Sequence, residues 1–248
     1  MMKYMISNML WVFLTAVCGA FLQTNIGFGF PIVAMIVFPL LFPFSTAVTL
    51  SLIIASGSTL YLSIAYRNHI EWKIIGPLLI VSIACSIIFT QLTIDMSQPV
   101  LTIMLGIMLV VISIFTVKFS RSIKIKRSVR TAAITGLISG IGNGLFGIAG
   151  PPVAIYLMAS LEEKRSYLAS IQSYFFISSV ITIVVRVLNN AISPAHVPLI
   201  GIGWAGMAIG TLSGRKLFER LPKELLKKIV YGFVGVSGIW MIIQTSLL

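Results

Sequence analysis

The chain has 248 residues, 58% of them hydrophobic and only 10% charged, with a mean hydropathy of +1.04. Soluble domains carry about 25% charged residues, so the composition excludes a water-soluble globular protein and predicts an all-α polytopic membrane protein. The formal net charge of +12 calls for no nucleic-acid partner, because the positive residues sit between apolar runs, where they suit a lipid bilayer with anionic headgroups.

In chain order, apolar runs of spanning or near-spanning length fall at about 7–25, 45–66, 74–94, 99–118, 131–147, 165–187, 197–216 and 228–247. Lys3 ahead of Met9–Phe21 imitates a signal peptide, but no small-residue cleavage site follows, so the segment is read as retained. Two runs too short to span, 31–42 and 151–160, each follow a glycine-rich interruption: Gln23-Thr-Asn-Ile-Gly-Phe-Gly-Phe-Pro31 and Gly140-Ile-Gly-Asn-Gly-Leu-Phe-Gly-Ile-Ala-Gly-Pro-Pro152. In lipid, backbone groups freed from a helix find no water, so such breaks persist only inside protein or beside a wet cavity. A matched pair of interrupted hydrophobic segments, one in each half, points to a transporter's binding site.

The halves resemble each other. Gly29-Phe-Pro31 aligns with Gly150-Pro-Pro152, and Leu101…Gly106 corresponds loosely to Lys227…Gly232. Charge then selects a topology. If every segment simply spans, the 18 Lys and Arg divide 10 to 8 between the two sides; if each break tips a hairpin, 16 share one side and only Lys3 and Arg186 the other. Cytoplasmic loops carry the positive excess, which favours the hairpins. The expected layout is therefore an inverted structural repeat, each half a re-entrant broken-helix hairpin plus three transmembrane helices. Residues 1–119 form the first repeat (hairpin about 7–42), 120–130 a basic cytoplasmic linker, and 131–248 the second repeat (hairpin about 131–160).

Pro31, Pro151 and Pro152 stand where half-helices begin, and proline favours the first helical position. The free N–H groups and dipole there make a ready anion site. Two such ends near mid-membrane would cradle an anion without a cationic side chain, alongside Gly27, Gly29, Gly144, Gly147 and Gly150; close helix packing is the competing use of these glycines. Asn25 and Asn143, with Gln23 and Thr24, are candidates to complete the anion's hydrogen-bond shell or to cap freed backbone. Phe28, Phe30 and Phe146 are candidate walls. Gln172, with Ser173 and Tyr174, is polar at spanning depth, and Ser51 aligns with it. Arg186, one turn from the end of its run, reads as snorkelling to the interface or as an electropositive entrance.

All six acids lie in loops or at run ends, which disfavours a carboxylate proton relay. There is no phosphate-binding Gly-Lys-Ser/Thr loop, no catalytic cluster of His, Asp and Glu, and no metal or cofactor pattern; Cys18 and Cys85 read as small hydrophobes.

Gly27-Phe-Gly-Phe-Pro31, Gly144-Leu-Phe-Gly-Ile-Ala-Gly-Pro-Pro152 and the Tyr66-Arg67…Trp72 loop resemble the sulfite exporter TauE/SafE family of membrane transporters. The resemblance covers nearly the whole length. It implies transport of small sulfur-containing anions of the sulfite, sulfonate or sulfoacetate class across the cytoplasmic membrane. A passive anion channel or facilitator, or a carrier of another small organic anion, is the alternative. The oligomeric state stays open, a homodimer among the options.

Overall fold

The computed structural model describes the backbone of residues 2–26, 28–119, 127–218 and 223–247, and the side chains of 6–24, 28–115, 127–214 and 232–247. Among the described residues all regular structure is helical: α1 (Met2–Ile26), α2 (Phe30–Val37), α3 (Phe44–Ala65), α4 (Trp72–Leu92), α5 (Gln98–Phe119), α6 (Val129–Phe146), α7 (Gly150–Ser160), α8 (Lys164–Leu188), α9 (Val197–Phe218) and α10 (Lys223–Ser246). Six of these (α1, α3, α4, α5, α8 and α9) are long and apolar enough to cross a membrane, so the protein is a multi-pass membrane protein. The described apolar part of α10 is Gly232–Ser246.

The first run, expected to be of spanning or near-spanning length, forms α1, whose 25 residues extend about 37 Å at 1.5 Å per residue. The apolar run continues until the glycines. The breaks are also narrower than the glycine-rich stretches. Residues 23–26 finish α1, and 140–146 finish α6.

At both breaks the chain turns back on itself. Gly29 lies against Leu22 and Gln23, and Phe30 against Gly19. In the second half the Ile148 N–H donates to the Gly142 carbonyl (3.1 Å), and Ser139 Oγ donates to the Ala149 carbonyl (2.9 Å). Glycine is required at each turn for a conformational reason: Gly29 has φ 146° and Gly147 φ 70°, regions that a Cβ makes costly. Gly147 thereby caps α6, its N–H on the Asn143 carbonyl at 2.9 Å.

Helix packing follows one rule in both halves. The most extensive pairings are α1 with α9, α4 with α6, α10 with α5, and α3 with α8; α2 and α7 each rest on the helix before and the helix after. Exchanging α1–α5 with α6–α10 leaves this set of pairings unchanged. Glycines at four-residue spacing let the backbones approach, as at other membrane helix crossings. On α6, a Cβ at Gly136, Gly140 or Gly144 would meet the carbonyls of Leu78, Ser82 and Ser86 at 2.6–2.7 Å. On α9, Gly206 and Gly210 meet the carbonyls of Phe13 and Val17 in the same way. The partner of Gly106 is Gly238, each Cβ position lying 2.6–2.7 Å from the other's carbonyl, whereas Gly232, its counterpart by sequence, has nothing within 4 Å.

Candidate substrate site

The two breaks converge on one cavity of about 40 Å³. Its wall takes Gln23 from the last turn of α1, Phe28, Gly29, Pro31 and Ile32 from the first break, and Asn143, Gly147, Ile148, Ala149 and Gly150 from the second. Ala55 and Thr59 of α3 and Phe175 and Ser179 of α8 close it. Five pairs in this wall are separated by 120 positions: Gln23 and Asn143, Phe28 and Ile148, Gly29 and Ala149, Ala55 and Phe175, Thr59 and Ser179. The correspondence between the halves therefore runs one position away from the sequence alignment. Pro31 matches Pro151, not Pro152, because the first break lacks a second proline to mark the register.

The breaks touch. A Cβ on Gly150 would lie 2.6 Å from the Phe28 ring, so that ring is the spacer between the two half-helix starts. Among the described residues no bond outside a helix engages the N–H groups of Gly29, Phe30, Ala149 or Gly150. These are the orphan donors that a helix N-terminus leaves, and they carry the positive end of the dipole. The fourteen wall residues carry no formal charge.

Three of the four polar side chains in the wall, Gln23, Thr59 and Asn143, already donate hydrogen bonds; the fourth is Ser179. Asn143 Nδ2 donates to Ser178 Oγ (2.9 Å) and Thr182 Oγ1 (2.8 Å) on α8, with Ser86 Oγ on α4 at 3.2 Å. Its amide hydrogens therefore tie helices together, where the sequence reading had them completing an anion shell or capping backbone. The cause is burial: an amide that is 1% exposed must be satisfied by its neighbours, and three hydroxyls surround it. Thr59 Oγ1 donates to the Ser56 carbonyl at 3.1 Å, and Gln23 Nε2 to Ser58 Oγ at 3.4 Å. Gln23 Oε1 is buried without a partner among the described residues. Backbone N–H groups and the Ser179 hydroxyl are thus the donors left for a ligand.

A hydroxyl network secures the second break. Ser139, which holds the Ala149 carbonyl, meets Tyr174 Oη at 2.8 Å, and Tyr174 donates to Ser82 Oγ at 2.6 Å. Position 19, 120 residues before Ser139, is glycine, so the first break has no equivalent tether there.

Arg186 departs furthest from its expected place. It neither snorkels nor lines an entrance: it is 1% exposed, and it heads the fully buried side chains by volume. Nη2 donates to the carbonyls of Gly144 (2.7 Å) and Leu145 (3.3 Å), and Nη1 to Ser45 Oγ (3.2 Å). The carbonyls at the interrupted end of α6 lack helical partners, and a guanidinium fork satisfies them.

Of the sequence candidates, Gln23, Phe28, Gly29, Pro31, Asn143, Gly147 and Gly150 line the cavity. The others have different surroundings. Thr24 donates to the Ala20 carbonyl within α1. Phe30 is buried against Gly19, and Gly144 against α4. Phe146 packs edge-on with Phe44 at 6.2 Å. Pro151 is buried at the start of α7, which leaves Pro152 on a separate groove with Ile134 and Phe115. Gln172 is buried in α8, about two turns before Ser179. Gly27 and the side chain of Asn25 lie outside the described residues. Ile32, Ala55, Thr59, Ile148, Ala149, Phe175 and Ser179 escaped the sequence reading. A signal for two of them existed, since the 120-residue offset that superposes Pro31 on Pro151 also carries the candidates Phe28 and Gly29 to Ile148 and Ala149.

The sequence model of the sulfite exporter TauE/SafE family matches residues 12–241; its members are membrane transporters of sulfur anions such as sulfite, not enzymes. No curated protein and no solved structure matches the chain. The family match runs from α1 to α10 and includes both breaks and the cavity between them, so the chain belongs to the sulfite exporter TauE/SafE family.

Proposed function

We propose that the protein is a secondary carrier of a small sulfur-containing anion across the cytoplasmic membrane, and that the cavity between the breaks is its substrate site. The observation that carries this reading is the convergence of two half-helix starts, with unengaged N–H groups, on one uncharged cavity. Two helix N-termini each supply about half a positive charge, enough to offset a monoanion without a cation in the wall itself. About 40 Å³ holds roughly three water molecules on the usual scale. That space suits sulfite, whereas a longer sulfonate such as sulfoacetate requires the wall to open.

The paired wall residues and the exchangeable packing support an inverted repeat in which the breaks are re-entrant and meet near mid-membrane. In such a carrier one hairpin rocks against the other around a fixed site. The test is exchange in proteoliposomes. Labelled sulfite inside should leave faster when unlabelled sulfite is outside, with saturation. Flux that follows voltage alone, without saturation or exchange, would assign a channel instead.

A further inference from the structure

Burying an ionised group without a counter-charge costs several kcal/mol, and an ionisable residue within a membrane helix marks function by default. Arg186 is such a residue. Among the described residues its three hydrogen bonds all go to neutral oxygens, and Nε is buried without a partner. Among the described residues no carboxylate pairs with it. The acids Glu71, Asp95, Glu162 and Glu163 stand outside the helices, between Ala65 and Trp72, Leu92 and Gln98, or Ser160 and Lys164. The carbonyl end of α6 offers about half a negative charge, so a net positive charge stays in the protein interior.

The place of that charge gives it a use. Gly144, whose carbonyl Arg186 holds, is three residues before Gly147 in the cavity wall, a separation of about 5 Å along the helix axis. We propose that Arg186 is a positioning and charge-setting residue for the anion: it holds the interrupted end of α6 and supplies, from behind the wall, the full positive charge that the wall lacks. The anion completes an ion pair with it through the broken helix, without contact. This inference rests on the cavity being the substrate site.

By Coulomb's law, two unit charges roughly 10 Å apart at an effective dielectric constant of about 20 change affinity about tenfold, and a second ligand charge about tenfold again. A mere structural clamp would not distinguish one charge from two. Methanesulfonate and sulfate present similar tetrahedral heads with one and two negative charges. Their dissociation constants should be measured on purified wild-type protein and on Arg186→Gln, Arg186→Met and Arg186→Lys. Two neutral replacements of different shape are included so that one folded variant suffices, as judged by a monodisperse elution profile. The proposal expects the sulfate-to-methanesulfonate affinity ratio to fall about tenfold in the neutral variant and to stay near the wild-type value in Arg186→Lys. Equal weakening of both anions, with the ratio unmoved, overturns it and leaves the cavity assignment standing. Binding of neither anion, nor of sulfite, to the wild-type protein overturns the cavity assignment and this inference together.

Discussion

Gly150→Ala is the sharpest probe of the contact between the two breaks. Its backbone is helical, so alanine fits conformationally, and the Gly→Ala change by itself gains about 0.4–1 kcal/mol. Against that, the new methyl would lie 2.6 Å and 2.9 Å from ring atoms of Phe28 and 3.1 Å from its Cβ. Overpacking of this kind costs about 1–3 kcal/mol, so the clash wins by about 1–2 kcal/mol. The ring can yield only by swinging into the cavity or by forcing the half-helix starts apart. Either outcome displaces the N–H donors, and sulfite affinity should fall about tenfold. Phe28→Ala removes the obstruction, so in that background Gly150→Ala should cost less than about threefold, a coupling within the range of touching residues. Isothermal titration of the four proteins with sulfite gives the cycle. A full tenfold cost of Gly150→Ala in the Phe28→Ala background would refute the spacer role of the ring.

The remaining predictions separate structure from binding. Asn143→Ala leaves the hydroxyls of Ser178, Thr182 and Ser86 without their common donor and should cost about 1–3 kcal/mol, seen as a lower midpoint in thermal unfolding. Gly210→Ala drives a methyl into the Val17 carbonyl and should destabilise the α1–α9 seam by about 1–3 kcal/mol. Gly201→Ala, with nothing within 4 Å, should be neutral or slightly stabilising by the same thermal measurement. Single cysteines at Ser128 and Leu161 should both react with an impermeant thiol reagent from the cytoplasmic side; labelling of Leu161 from outside would remove the second hairpin.

The class of protein, the two breaks and their prolines were legible in the amino-acid sequence, because they rest on local rules. An apolar run of about 20 residues has few alternatives to a membrane helix, and proline after glycine marks a first helical turn. Seven of the sixteen candidate residues reach the cavity wall, and these lie within a turn of a break. The other described candidates lie off the cavity wall for geometric reasons. A helix presents a new face every residue, so a one-position slip between the halves, at Pro152 instead of Pro151, rotates the inferred partner by about 100°. Polarity at spanning depth singles out Gln172, but which buried polar group faces a cavity depends on α3, α6 and α8 meeting around it. The fates of Asn143 and Arg186 were decided only by tertiary structure. Sequence showed an amide and a guanidinium; the fold surrounded one with three hydroxyls and set the other on the carbonyls of a broken helix. A hydrogen bond between helices is a property of their packing, which no local pattern encodes.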